Sequence, residues 1–490
     1  MEEKMKTDGL KKNLTFQFIY QIIVMVIPLI IAPYLTRTLG EKSIGIYTYT
    51  YSIAYYFVLF CMLGIVKYGQ RVIAANRNNM VKLRKTFWSL MVVHVVVSIV
   101  GVGAYLIFVF WFCKEDLPIY YVQVLYVLSA LFDTTWFYYG VEKIKPVVIR
   151  NALIKIVELV LIFLFVKNKD DLLLYTFIMS GSILICQMSL LPSIFKEIKP
   201  IKIGWDDIKV HSKPMIILSV SVFAVSLYTV FDKTLLGIMT TKESVAFYEY
   251  SNKIINIPKI FITVLGTVLF PRACNYVANQ DMNGVKKYYN FSIMATYLIG
   301  FGSIFGLIGI SDLFSILYYG KSFAICGGVI KMLSPIILFL GLGDIFRTLY
   351  LIPMHKDVEY TVCIVINALI NLVLSISLIP VLGIYGAVIG TLSAELFGVV
   401  YQGYLVRKYI DVKKTVLLSV PFLVAGIGML GVIEILKVVI NDSFIHLLFQ
   451  MSLGTLAYFF LLLMWFLIFS KEKERYKTII KRIINKKRNK

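Results

Sequence analysis

Apolar stretches of about 20 residues recur along the whole chain, and they restrict its possible folds more than any other feature. An α-helix of that length spans the hydrocarbon core of a bilayer. Short polar segments separate these apolar stretches, and the stretches between them predict helices at residues 14–36, 44–66, 86–110, 118–140, 146–166, 172–192, 214–237, 245–270, 290–311, 325–352, 359–380, 384–406, 415–437 and 446–470. Only 16% of the residues are charged, which is too few for the surfaces of several soluble domains. We therefore expect an all-α polytopic membrane protein with about 14 transmembrane helices.

Two of these stretches carry residues that bear on helix geometry. The stretch 325–352 contains Pro335 and Gly341, so we expect it to be kinked or broken. The stretch 118–140 contains Asp133 within ALFDTTWFYYG (130–140), and we expect one continuous helix there. In such a helix Asp133 would lie about 10 Å from the cytoplasmic end, with Trp136 and Gly140 on the same face.

Lysine and arginine are distributed unevenly outside these stretches. The N-terminus, the loops after even-numbered helices and the C-terminal tail carry most of them, whereas the remaining loops carry eight. Because cytoplasmic loops are rich in Lys and Arg, both termini are predicted to be cytoplasmic. The tail alone carries ten, which is typical of a segment held by anionic lipid headgroups. The net charge of +22 therefore follows membrane topology, and we expect no nucleic-acid partner.

Two short sequence matches indicate an internal repeat. Residues 41–53 match 242–254 at an offset of 201, and NALIKIV (151–157) matches NALINLV (367–373) at an offset of 216. Both matches relate equivalent positions in two six-helix units. Because six is even, the two units would have the same orientation, related by a pseudo-two-fold axis along the membrane normal.

The repeat predicts how the chain is divided. We expect an N-terminal lobe at 1–192, a cytoplasmic linker at 193–213, a C-terminal lobe at 214–406, two additional helices at 407–470 and a basic cytoplasmic tail at 471–490. Two repeated bundles of this kind predict a transporter-like fold with a central cleft and alternating access.

Ionisable residues inside the predicted helices are the main functional signal, because a charge in hydrocarbon is costly and usually faces a cavity or a partner. The cationic candidates are Lys155, Lys233, Lys253, Lys331 and Arg347, and the acidic candidates for coupling or structural roles are Asp133, Asp232, Asp344 and Glu395. A structural alternative is that neighbours on one helix neutralise each other, as Lys155 with Glu158 and Glu249 with Lys253. A cavity rich in cations would suit a bulky anionic substrate, and phosphate on a lipid carrier is the natural candidate.

The sequence argues against an enzyme. Its four histidines show no HExxH spacing, and SILYYGKS (315–322) has Ser315 where a P-loop has its first glycine. The six cysteines have no CxxC spacing and are expected to be small core residues. No loop is long enough for a soluble catalytic domain. We expect no metal and no bound organic cofactor.

Four segments are distinctive: APYLTRTLGEKSIGIYTY (32–49), FDTTWFYYGVEK (132–143), FDKTLLG (231–237) and FYEYSNKI (247–254). Together they resemble the Wzx-type polysaccharide flippases, which share a superfamily with the multidrug and toxin extruders (MATE) and the lipid II flippase. The resemblance covers nearly the whole chain and implies a MATE-like fold of two six-helix lobes plus two C-terminal helices. Residues at positions where the family patterns place polar side chains are Arg37, Asp133, Trp136, Asp232, Lys233 and Lys253. The resemblance thereby adds Arg37 to the five cationic candidates for the cavity.

The resemblance implies a flippase in the bacterial cytoplasmic membrane. It would move undecaprenyl-diphosphate-linked oligosaccharides from the inner to the outer leaflet for capsule, O-antigen or exopolysaccharide synthesis, around a central cationic cavity. H+ or Na+ would be the coupling ion, and membrane lipids and other polysaccharide-assembly proteins would be partners. We hypothesise that Asp133 faces the cavity, where it either holds a cationic partner in place or carries a coupling proton. The alternative is that it forms a structural hydrogen bond to a neighbouring helix. The alternative functions are a MATE-like small-molecule exporter and a membrane glycan polymerase.

Overall fold

The computed structural model describes residues 23–439 and 443–469, which are helical almost throughout. The α-helices of this part are α1 Ile23–Thr38, α2 Gly40–Met62, α3 Ile65–Asn76, α4 Met80–Phe112, α5 Leu117–Leu131, α6 Thr135–Gly140, α7 Ile144–Phe165, α8 Leu172–Met188, α9 Leu191–Glu197, α10 Trp205–Met239, α11 Lys242–Ala278, α12 Met282–Phe314, α13 Ile325–Leu333, α14 Ile336–Phe346, α15 Asp357–Leu382, α16 Ile384–Val406, α17 Val412–Leu417, α18 Val420–Val439 and α19 Phe444–Phe469. The start of the first predicted helix (14–22) and the predicted basic tail lie outside the described residues.

The long apolar helices establish a multi-pass membrane protein. Among the described residues, 10 helical runs are long and apolar enough to cross a membrane, and the bent pair Lys321–Leu333 and Ile336–Leu351 is an eleventh. The other three predicted positions are also helical, and they are occupied by α1, α7 and α10. Helix α1 is shorter than the predicted crossing, and α7 carries three charged residues within its apolar stretch. Helix α10 includes the whole predicted stretch 214–237. The helix positions agree with the prediction, but the count of 14 crossings is not confirmed.

The prediction of one continuous helix around Asp133 was wrong. Helix α5 ends at Leu131, and α6 begins at Thr135. In the break between them, Asp133 Oδ1 accepts hydrogen bonds from the Thr135 amide at 2.8 Å and the Thr135 hydroxyl at 2.5 Å. A short acidic side chain competes for backbone donors in this way and favours a helix start over a helix interior. Asp133 therefore lies before α6 and does not share a helical face with Trp136.

The predicted break in the stretch 325–352 is confirmed at Pro335. Helix α13 ends at Leu333, α14 begins at Ile336, and the two helical segments are bent by 43°. Proline lacks the amide hydrogen that would continue the helix. Gly341 lies inside α14, where a Cβ atom would come 2.8 Å from Thr296 Cγ2, so this glycine permits close packing and causes no second break.

The chain folds into two compact units. Within the described residues, the first contains those of Met1–Lys253, Tyr318–Phe323 and Ile364–Thr391, and the second contains those of Ile254–Leu317, Ala324–Cys363 and Leu392–Lys490. The division into lobes at 1–192 and 214–406 stays a prediction. The second unit has an apolar core that includes Tyr297, Phe346, Met429 and Tyr458.

In the first unit, the two segments of the predicted repeat lie against each other. A Cβ atom on Gly45 of α2 would lie 1.8 Å from the carbonyl oxygen of Lys242 at the start of α11, so only glycine allows this approach. The Lys242 ammonium lies 3.3 Å from the ring centroid of Tyr49, also on α2. This contact brings the polar residues of α2 and α11 to one cavity.

Candidate functional site

A cavity of about 280 Å³ in the first unit brings together three of the six predicted cations. Lys155 of α7, Lys233 of α10 and Lys253 of α11 line it, together with Glu158 and Glu249. The charged lining therefore has a net charge of one positive. We call this space the lysine–glutamate cavity.

Two ion pairs lie in this cavity, and one of them joins different residues than the sequence spacing suggested. Lys155 Nζ pairs with Glu158 at 2.9 Å on one helix, as the structural alternative proposed. Glu249 instead pairs across helices, with Lys233 Nζ at 2.5 Å. Within the part of the chain described, Lys253 has no carboxylate within 4 Å, and its ammonium lies 4.0 Å from the ring centroid of Tyr250. Lys253 is therefore the cation of this cavity that is left for an external anion.

Tyrosine rings form much of the remaining polar wall. Tyr47 and Tyr51 come from α2, and Tyr175 comes from α8. The Tyr47 and Tyr175 rings make an edge contact with centroids 4.8 Å apart, and the Tyr51 hydroxyl donates to the Tyr126 hydroxyl at 3.1 Å. A tyrosine wall offers both apolar ring faces and hydroxyl groups to a polar ligand.

A second cavity of about 310 Å³ in the same unit shares Lys155 and Glu158 with the first. Asp133 lines it, together with a set of polar residues that includes Arg150, Asn151 and Gln187. We call it the Arg150 cavity. Asp133 thus lies on a cavity wall, although in a helix break.

Sequence reasoning missed Arg150 as a functional residue. Its side chain is buried, and it donates to Asn151 Oδ1 at 2.9 Å and to the Cys186 carbonyl at 2.6 Å. Among the residues that the structure describes, none donates to the buried amide oxygen of Gln187. Asn151, Lys155 and Glu158 follow one another at spacings of four and three residues, so they form a polar stripe on one helix face, and this stripe was the signal that could have included the neighbouring Arg150.

Asp232 lies in a hydrogen-bonded cage and not on either cavity wall. One carboxylate oxygen accepts from Tyr248 at 2.7 Å and Thr391 at 2.6 Å, and the other accepts from Asn371 at 3.1 Å and Ser375 at 3.4 Å. The side chain is only 5% exposed. Asn371 is the residue that the predicted repeat matches with Lys155, so one repeat position carries a cation and the other an amide that binds a carboxylate.

The other candidates lie elsewhere. Lys331, Arg347, Asp344 and Glu395 belong to the second unit. There Arg347 pairs with Asp344 and donates to the Tyr360 hydroxyl at 3.2 Å, and Lys331 pairs with Asp312. Glu395 of α16 is partly buried. Arg37 of α1 donates to the Pro33 carbonyl at 2.8 Å and does not line the lysine–glutamate cavity.

Sequence comparisons relate the chain to proteins of polysaccharide synthesis. Residues 10–277 match the family described as polysaccharide biosynthesis protein. A protein of Escherichia coli (strain K12), named as an O-antigen transporter, is 22% identical over 393 residues, which cover 79% of this chain and 94% of that protein. A protein of Shigella dysenteriae with the same name is 22% identical over 403 residues, covering 80% and 99%.

Structural comparisons identify the fold. The lipid II flippase MurJ in an inward closed conformation superposes with a TM-score of 0.75 at 15% identity, covering 93% of this chain and 98% of that one. An inward-facing multidrug-resistance transporter of the MATE family, within the MOP superfamily, superposes with a TM-score of 0.60 at 11% identity, covering 80% and 95%. The predicted MATE-like architecture is therefore confirmed.

Proposed function

The chain belongs to the polysaccharide biosynthesis protein family, and from this premise we propose that it is a flippase for undecaprenyl-diphosphate-linked oligosaccharide repeat units. It carries them from the cytoplasmic to the outer leaflet of the bacterial cytoplasmic membrane, with both termini in the cytoplasm. The relatives are named as transporters, in agreement with the prediction that the chain is no enzyme. Alternating access moves the head group while the prenyl chain stays in lipid.

The lysine–glutamate cavity is the observation that carries this proposal. A diphosphate needs cationic hydrogen-bond donors, and an ammonium without a carboxylate partner provides them without breaking an existing pair. Lys253 has this property, whereas Lys155 and Lys233 are each neutralised by a glutamate. The diphosphate therefore binds at Lys253, and the neighbouring tyrosines contact the first sugars.

An apolar cavity of about 530 Å³ in the second unit supports a lipid-linked substrate. Its lining includes Phe261 of α11, Phe314 of α12, Met429 of α18 and Met451 of α19. Such a wall accepts a flexible hydrocarbon chain without a polar penalty. Two of its helices, α18 and α19, correspond to the additional C-terminal helices predicted from the sequence.

The cage around Asp232 supports coupling to an ion gradient. Within the described residues the Asp232 carboxylate accepts from four uncharged donors and has no cationic side chain within 4 Å, so a proton or a small cation can neutralise it. H+ and Na+ both remain compatible with this site. A coupling ion binding here would alter the contacts between α10, α11, α15 and α16.

A deletion strain complemented with this chain tests the function. The readouts are surface polysaccharide and the amount of lipid-linked repeat unit retained in the inner leaflet. We expect loss of surface glycan and accumulation of the precursor on deletion, rescue by wild type and by the exposed-lysine control Lys202→Ala, and no rescue by Lys253→Ala. Unchanged glycan on deletion would instead favour the small-molecule exporter. Rescue by Lys253→Ala would keep the flippase and exclude Lys253 from the site.

A further inference from the structure

A cavity of about 390 Å³ lies at one end of three helices of the second unit, apart from the cavities described above. Its wall is formed by residues at the beginning of α12, after the end of α16 and in α17. Among them are Lys286, Lys408 and Lys414. Its volume falls within the range of small-molecule sites, about 300–1,000 Å³. We call it the helix-end cavity.

The floor of the helix-end cavity is built from buried hydroxyl groups. The Tyr289 and Thr415 hydroxyl oxygens are 2.8 Å apart, and both residues are buried. Thr415 donates its proton to the Asp411 carbonyl at 2.9 Å, so Tyr289 must be the donor in the bond between the two hydroxyls. Tyr297 donates to the Thr415 carbonyl at 3.1 Å. The floor is therefore rigid, and its polar groups are already satisfied.

The three lysines that line this cavity form no ion pair with a carboxylate of the described residues. In the described part of the chain, none of the three has a carboxylate within 4 Å, and all three are exposed. Asp411 is the acidic residue of the lining, and its side chain caps α17 by accepting from the Lys414 amide at 3.0 Å. The charged lining therefore has a net charge of two positive. The preference of Lys and Arg for cytoplasmic loops explains why these lysines lie at the helix ends, but it does not explain why three of them line one cavity.

The position of the helix-end cavity indicates which anion reaches it. The membrane-spanning candidates Met282–Tyr319, Ile384–Val406 and Val412–Lys437 begin or end beside it. These ends lie on the side that the Lys and Arg distribution predicts to be cytoplasmic. At the cytoplasmic ends of membrane helices, the abundant anions are the phosphates of lipid headgroups.

We propose that the helix-end cavity binds the phosphate of a lipid in the cytoplasmic leaflet, held by Lys286, Lys408 and Lys414. Lysine suits this task because its ammonium is a compact charge with three donors and does not require one fixed approach. The phosphate comes either from an anionic phospholipid or from the diphosphate of a polyprenyl carrier. The inference does not depend on which molecule the protein transports.

Ligand-dependent thermal stability of the purified full chain tests the proposal. The probes are phosphatidylglycerol, farnesyl diphosphate and inorganic pyrophosphate, with phosphatidylcholine as the uncharged-headgroup reference. The test variant is Lys286→Gln/Lys408→Gln/Lys414→Gln, and the matched control is Lys199→Gln/Lys202→Gln/Lys209→Gln, which removes the same charge from exposed residues outside the cavity. All proteins also carry Lys253→Gln, so that binding in the lysine–glutamate cavity does not contribute.

We expect a lipid phosphate to raise the Tm of the control, and the test variant to bind that lipid on the order of 100-fold more weakly, at about fivefold per lysine. A response to phosphatidylglycerol alone would assign an anionic phospholipid, and a response to farnesyl diphosphate alone would assign the carrier. Equal responses of control and test variant would overturn the proposal. If pyrophosphate raises the Tm as much as both lipids do, a lipid ligand is excluded. If none of the probes raises the Tm, phosphate is excluded as the ligand, and an acidic protein segment is the alternative occupant of the cavity.

Discussion

Glu249 pairs with Lys233 on the neighbouring helix, at 2.5 Å, and not with Lys253 one turn along its own helix. This choice of partner leaves Lys253 against the ring of Tyr250. Had Glu249 taken Lys253, the unpaired ammonium of the cavity would be that of Lys233 on α10. The interhelical pair thus joins α10 to α11 and places the unpaired ammonium on α11.

Exchanging the two charges of the Lys233–Glu249 pair tests whether it stabilises the first unit. Breaking a buried ion pair costs about 3–5 kcal/mol, and because these side chains are 21% and 22% exposed we expect the lower end of that range. Lys233→Glu and Glu249→Lys should each lower the Tm of the purified protein, and the double exchange should restore most of it. A double variant that is as unstable as the sum of the single variants would argue against a direct pair.

Replacing Lys253 tests its role as the binding cation. Loss of one charge-assisted hydrogen bond costs about 1.5–3 kcal/mol, so Lys253→Gln should bind farnesyl diphosphate roughly 10- to 100-fold more weakly. Lys253→Arg keeps the charge and should retain most of the affinity, and the exposed-lysine variant Lys202→Gln should behave as wild type. The measurement is equilibrium binding in detergent. Equal affinity of wild type and Lys253→Gln would remove Lys253 from the site.

Asp133 has two possible roles that two substitutions separate. Asparagine keeps the oxygen that accepts from Thr135 but removes the charge, so Asp133→Asn should leave the Tm unchanged. Alanine removes the hydrogen bonds that the Asp133 carboxylate accepts from Thr135 and should cost about 1 kcal/mol. Because Asp133 lines the Arg150 cavity, we expect Asp133→Asn to reduce export of surface glycan at normal protein levels. Normal export by this variant would restrict Asp133 to its structural role at the helix break.

The stability of the protein should depend on the protonation of His211, which precedes the predicted span at 214–237. The Tyr68 hydroxyl lies 2.8 Å from His211 Nδ1. Burial lowers the pKa of His211 below its ordinary value, and the nearby Asp207 carboxylate opposes this only in part. The unfolded chain therefore takes up a proton there at higher pH than the folded chain does.

The consequence is a loss of stability in mild acid. The contribution of His211 is complete above the unfolded pKa of about 6.5 and declines as the pH falls through and below that value. We expect the Tm difference between pH 7.5 and pH 5.5 to become smaller in His211→Gln than in wild type. An unchanged difference would show that other groups cause the acid sensitivity.

Much of the fold follows from local sequence properties. Apolar length predicts where helices lie, because a membrane helix satisfies its own backbone hydrogen bonds. Pro335 breaks its helix by removing one of them. The break at Asp133 was not predictable from hydropathy, because the apolar run continues on both sides and the carboxylate acts through one hydrogen bond to the Thr135 amide.

The candidate site was less predictable, because it depends on how helices are rotated against each other. Spacing alone joined Glu249 to Lys253, and only the packing of α10 on α11 reveals Lys233 as the partner. Asp232 looked like one more intramembrane charge, yet its four hydrogen-bond donors come from three other helices. Arg150 was missed because a cation near a helix start is usually a boundary residue.

Replacing Asp232 with asparagine separates coupling from structure. Asparagine has nearly the same shape, and the hydroxyl groups of Tyr248 and Thr391 can rotate to accept from its new amide, so the protein should fold with a similar Tm. It lacks the charge, so transport in inverted membrane vesicles should no longer respond to an imposed Na+ or H+ gradient, and the gradient that drives wild type identifies the coupling ion. Ser375→Ala, which removes the longest of the four bonds at 3.4 Å, is the control and should keep the response. A normal gradient response in Asp232→Asn would show that the cage only holds α10 against α15 and α16.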